Sequence, residues 1–124
     1  MLRACRRLLG PKGRIGFSTI IVRDGLSKKA HRRAVRLGPR AVASTRPLTE
    51  LVDAAGFIDV EMIDVTGDFS TTARGWVREW SELEAEVRAV LGDELDDRRS
   101  HHEEMISGIE QGLLSRSLVI ASAH

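Results

Sequence analysis

The chain has 124 residues, enough for one domain that buries roughly two thirds of its unfolded surface. A lone cysteine, Cys5, excludes an internal disulfide, no Cys/His ligand spacing suggests zinc, and no apolar run approaches the roughly 20 residues of a membrane helix, so the sequence reads as a soluble, cytoplasmic protein. The formal net charge of +1 conceals two opposed halves: residues 1–47 hold 13 Lys/Arg against one acid, Asp24, and residues 48–124 hold 6 against 17. Such a basic N-terminal half fits a transit peptide, a nucleic-acid surface, or a folded segment whose charges are solvated or face the acidic half. Helix and strand signals favour the folded segment.

In chain order, Ala4, Leu8 and Leu9 suit the last turns of a helix, and Gly10 to Gly13 then form a turn with Pro11 preset at its second position. A strand follows from Ile15 to Val22, apolar on both faces, as expected of a central strand covered by helices on both sides. Gly10, Gly13 and Gly16 mimic a nucleotide-binding loop, but that loop follows a strand and opens a helix, the reverse of the order here. After Asp24-Gly25, Ser27 caps a helix with the stripe Leu26, Ala30, Ala34 and Leu37, ended by Gly38 and Pro39; its other face carries Lys28, Lys29, Arg32, Arg33 and Arg36.

The linker AVASTRP leads to a helix with Leu48, Leu51, Val52 and Ala55 on one side, stopped by Gly56 with Phe57 folding back over it. Ile58 to Val65 alternates and then changes face, which suggests a strand near a sheet edge. Two longer amphipathic helices are expected next. One carries Ala73, Trp76, Val77, Trp80, Leu83, Val87 and Val90 or Leu91 as far as Gly92, and the other carries Leu95, Arg98 or Arg99, His102, Met105 or Ile106, Ile109 and Leu113. Ser117 to Ala123 closes the chain as a short apolar strand that needs a neighbour to satisfy its backbone.

"RRLLGPKGRIGF" followed by "LTELVDAAGFIDVEMIDVT" resembles the C-terminal half of class I S-adenosylmethionine-dependent methyltransferases, in which an "LRPGGR" turn precedes the fifth strand and an "AGF" helix end precedes the sixth. The resemblance spans nearly all of the chain. It implies an α/β, three-layer fold: the C-terminal part of a Rossmann-like sheet, with Arg14–Val22 as strand five, Ile58–Val65 as strand six and Ser117–Ala123 as an antiparallel strand seven inserted between them. The family's glycine loop and ribose-holding acid have no counterpart here, so residues 1–124 are expected to be a single partial domain whose N-terminal half is missing. Lys12 stands where the family has a glycine, which suggests a type I turn.

The implied function is methyl transfer to a small-molecule acceptor by the complete enzyme, with S-adenosylmethionine as cofactor there and no cofactor bound by this chain alone. An unpaired strand-five edge implies self-association. The acceptor side comprises Arg23 to Arg46 and the helical insertion over residues 71–114. Trp76 and Trp80, one turn apart, fit either ordinary core or the wall of an apolar or planar acceptor pocket. His102 fits either a satisfied, half-buried histidine or a general base. Asp24, just past the end of strand five, fits either turn chemistry or ligand binding. His101-His102-Glu103-Glu104 is a poor metal motif, because only His101 and Glu104 share a helix face. The alternative to a methyltransferase part is a small nucleic-acid-binding module using the basic half. Two tryptophans, three phenylalanines and no tyrosine make a weak stacking platform for that role.

Overall fold

The structure, a computed structural model, describes residues 1–39 and 46–124. The expected linker therefore lies mostly outside the described residues, as does part of the Arg23 to Arg46 segment. The elements are α1 (Leu2–Leu8), β1 (Arg14–Val22), α2 (Lys28–Leu37), α3 (Leu48–Asp53), β2 (Phe57–Asp64), α4 (Thr66–Glu82), α5 (Glu84–Leu91), α6 (Glu94–Glu110) and β3 (Leu114–Ala123).

The three strands form one sheet in the order β1-β3-β2, and β3 runs antiparallel to both neighbours. Ile15 lies opposite Ala121 and Val22 opposite Leu114, while Asp64 lies opposite Ser117. The β2 pairing is interrupted between Ile58 and Glu61, where Asp59 has φ 51°. Strand alternation then sorts the core into two layers. Ile15, Phe17, Val119 and Ala121 pack with Val52 and Phe57 beneath α1 and α3. On the opposite face Ile20 and Val22 of β1, with Leu114 of β3, meet α2, α4 and α6 through Ala34, Phe69 and Met105. This is the three-layer arrangement the resemblance implies.

Local chemistry sets several boundaries. Ser27 accepts the Ala30 N–H at 3.1 Å and starts α2, whose Lys28, Lys29, Arg32, Arg33 and Arg36 are exposed. Gly56, at φ 89°, turns the chain out of α3, and Phe57 is buried at the start of β2. Three expectations are corrected. The Gly10 to Gly13 turn closes with a Gly13 N–H to Gly10 C=O bond of 3.0 Å, and Lys12 has φ 66°, so it has type II and not type I character. β1 is an edge strand of this sheet, not a central one; its apolar residues on both faces reflect helices above and below, which says nothing about strand neighbours. The helix expected as far as Gly92 begins at Thr66 and bends at Leu83 (φ −105°, ψ 29°) into α5. A deviation at one residue leaves the 3.6-residue period intact on either side, so hydrophobic spacing cannot reveal it.

Candidate functional site

β1 ends at Val22, and the Asp24-Gly25 turn follows, with Gly25 at φ 78°. Asp24 is exposed and lies on the wall of a cleft of about 380 Å³ at this end of the strand, together with Val22, Leu26, His31, Leu48 and Met62. Ligands of doubly wound folds bind beyond the carboxyl ends of strands, and the volume suits a small molecule.

Trp76, Trp80 and His102 come together. The α4 stripe divides: Ala73 and Val77 join the core, while Trp76 is 46% exposed and Trp80 half-buried. The two indoles stack with centroids 6.5 Å apart, and His102 from α6 meets both edge-on, at 5.0 Å from Trp80 and 5.6 Å from Trp76. His102 Nδ1 lies 2.9 Å from the Arg98 carbonyl, which can only accept, so Nδ1 carries the proton and Nε2 of the neutral ring is the basic atom.

His102 also lines a groove of about 440 Å³ over β1, with Ser18, Phe69, His101, Met105 and Arg116. Neither tryptophan belongs to the walls of this groove or of the Asp24 cleft, but Thr19 and Ile20 wall both. The structure thus joins His102 to the tryptophans and leaves Asp24 in a neighbouring cavity. Sequence reasoning missed Arg116, which sits in an alternating strand where nothing marks it out. Among the described residues no group of three His, Cys, Asp or Glu side chains is placed to hold a metal ion.

Where β2 meets α4, Asp64 Oδ1 accepts the Thr66 hydroxyl at 2.5 Å and the Thr66 N–H at 2.9 Å. The same hydroxyl accepts the Arg116 N–H at 2.9 Å, tying the start of α4 to β3. These two bonds from Thr66, with the charge of Arg23, hold the Asp64 carboxyl below its ordinary value.

No protein-family model matches the sequence, and no curated protein matches it. Solved structures do match. The phosphoethanolamine N-methyltransferase 2 of Haemonchus contortus, in complex with phosphomonomethylethanolamine and S-adenosylhomocysteine, superposes with a TM-score of 0.75 at 17% identity, covering 98% of this chain and 29% of that one. The three-stranded sheet and its helices resemble part of the Rossmann-like fold of methyltransferases. A protein of Galdieria sulphuraria described as a sarcosine dimethylglycine methyltransferase gives a TM-score of 0.74 at 14% identity, covering 98% of this chain and 45% of that one. The cyclopropane synthase MmaA2 of Mycobacterium tuberculosis gives 0.68 at 15%, covering 98% and 48%. The chain therefore spans less than half the length of each of these structures. Among the described residues no helix is long and apolar enough to cross a membrane.

Proposed function

We propose that this chain is the acceptor-side, C-terminal part of a class I S-adenosylmethionine-dependent methyltransferase, which transfers a methyl group to a small molecule when a donor-binding half carrying strands one to four completes the sheet. The observation that carries this reading is the strand order β1-β3-β2 with β3 antiparallel in the middle, together with a match over 98% of the chain to less than half of each similar structure. β1 pairs only with β3 among the described residues, which leaves one edge for a fourth strand.

The residues described here do not fit the methyl donor. Gly25 is the lone glycine between β1 and α2, and Val65 alone separates β2 from α4, so neither strand is followed by a glycine-rich loop able to cradle it. What this part contributes is the positioning of the acceptor, and holding reactants in line supplies a large share of such an acceleration. Asp24, Trp76 and Trp80 are the acceptor-side residues of this proposal, and His102 Nε2 is its proton acceptor.

Calorimetric titration of the isolated chain with S-adenosylmethionine is expected to show no micromolar binding, and such binding would overturn the assignment of the donor site to another half. Reading the coding DNA upstream of Met1 provides a second test. An in-frame strand, glycine loop and helix there, or in an adjoining gene whose product binds this chain, is the expected result; a purified chain that transfers methyl groups unaided would sink the proposal.

A further inference from the structure

The groove over β1 has an unusual charge balance. Arg116, half-buried in β3, lays its guanidinium 4.4 Å from the centroid of the buried Phe69 ring and donates from Nη2 to Ser18 Oγ at 2.9 Å. Stacking on an aromatic face and one hydrogen bond to a neutral hydroxyl fix the plane of the group while leaving most of its five N–H donors unused. Among the described residues no carboxylate forms an ion pair with it, whereas Arg74, Arg88, Arg98 and Arg99 on the nearby helices all have one. Among the described residues, His101 and His102 are the other titratable side chains on the groove wall, and no Asp or Glu lines it. The groove thus presents a half-buried cation with no carboxylate opposite it among the described residues.

We propose that this groove is an anion subsite, in which the Arg116 guanidinium, with His101, His102 and the Ser18 hydroxyl around it, takes a carboxylate or phosphate group of a small molecule. A planar guanidinium matches the oxygen pairs of both groups, and a volume of about 440 Å³ admits such a molecule. Thr19 and Ile20 wall both this groove and the Asp24 cleft, so the two cavities adjoin along β1. Naming that ligand as the methyl acceptor rests on the proposed function; anion binding by the groove does not.

The chain supplies its own probe, since both of its tryptophans pack against His102 on the groove wall. Tryptophan fluorescence is followed while inorganic phosphate, and separately acetate, is added at constant ionic strength set with chloride. A saturable change is expected with at least one of the two anions, the tighter binder identifying the recognised group. Arg116→Gln is expected to weaken it about tenfold or more, as for loss of a charged hydrogen-bond donor, while Arg32→Gln on the exposed face of α2 leaves it unchanged. Should Arg116→Gln not retain the circular dichroism of the parent, His101→Gln, at an exposed position, is expected to weaken binding severalfold. No saturable change with either anion, or an unaltered titration in a folded Arg116→Gln, overturns the subsite. Neither result bears on the strand order or on donor binding, and micromolar binding of S-adenosylmethionine by the isolated chain would overturn the proposed function while leaving this titration intact.

Discussion

Gly108 offers the sharpest test of how α6 is seated. The helix lies against β3 and α2 at this point, and a Cβ built on Gly108 would stand 2.6 Å from Leu114 Cδ1, 3.1 Å from Leu114 Cγ and 3.5 Å from Leu37 Cβ. Leu114 is wholly buried among Ala34, Leu113 and Leu37, so its side chain has little room to retreat. Gly108→Ala therefore sets two effects against each other: a gain of about 1 kcal/mol from replacing a helical glycine, and an overpacking cost of about 1–3 kcal/mol. The net expectation is a loss of up to about 2 kcal/mol.

Gly75 in α4 isolates the first effect, since no atom lies within 4 Å of its Cβ position. Gly75→Ala is expected to stabilise by up to about 1 kcal/mol. Urea denaturation followed by circular dichroism measures both, and the difference between the variants is the packing cost alone. In a double-mutant cycle, Leu114→Val is expected to relieve part of the strain in Gly108→Ala. If both alanine variants stabilise the chain equally, α6 does not approach β3 as described, and the walls of the groove built on it are misplaced too.

Lys12→Gly is expected to raise stability by up to about 1 kcal/mol in the same denaturation assay, because Lys12 occupies φ 66° and glycine adopts that region without a side-chain clash; a loss would refute the turn geometry. The lowered carboxyl of Asp64 stabilises the fold fully above its unfolded value, near pH 4, and that contribution fades as pH falls through the still lower folded value. Thermal melts from neutral pH into acid should thus fall less steeply for Asp64→Asn than for the parent, and equal slopes would remove Thr66 as the cause. Sedimentation velocity should reveal concentration-dependent association through the free edge of β1, reduced in Gly16→Lys, where a charge enters the edge at an open position; a parent chain that stays monomeric would count against an accessible edge.

Much of the fold was legible because its signals are local. Ser27 before an apolar stripe and Gly56 after one mark helix ends through backbone hydrogen bonds within a few residues, and both elements lie where those residues place them. The central antiparallel β3 came from resemblance, since a seven-residue apolar strand does not reveal its neighbours. The errors share a cause: they depend on contacts outside the window read. Lys12 takes a positive φ in a turn that binds α1 to β1, where its own preference favours type I. Trp76, Trp80 and His102 read as members of apolar stripes, but Trp76 stands 46% exposed and all three meet beside the core, a meeting that required knowing that α4 and α6 pack side by side. Arg116 carries no signal at all until Phe69 and Ser18 are brought to it from other elements.

The charge asymmetry of the sequence acquires a physical reading from the same contacts. Facing of the basic half by the acidic half would place many ion pairs between them, but among the described residues Arg46 with Glu50, four positions apart at the boundary, is the one pair observed that joins the halves, and the others lie within residues 74–110. Arg6 instead donates to the backbone carbonyls of Gly56 and His124, Arg23 to that of Leu114, and Arg33 to the side chain of Gln111. These arginines tie α1, the end of β1 and α2 to distant parts of the chain without neutralising their charge, while the exposed cations of α2 stay in water, where screening keeps their repulsion small.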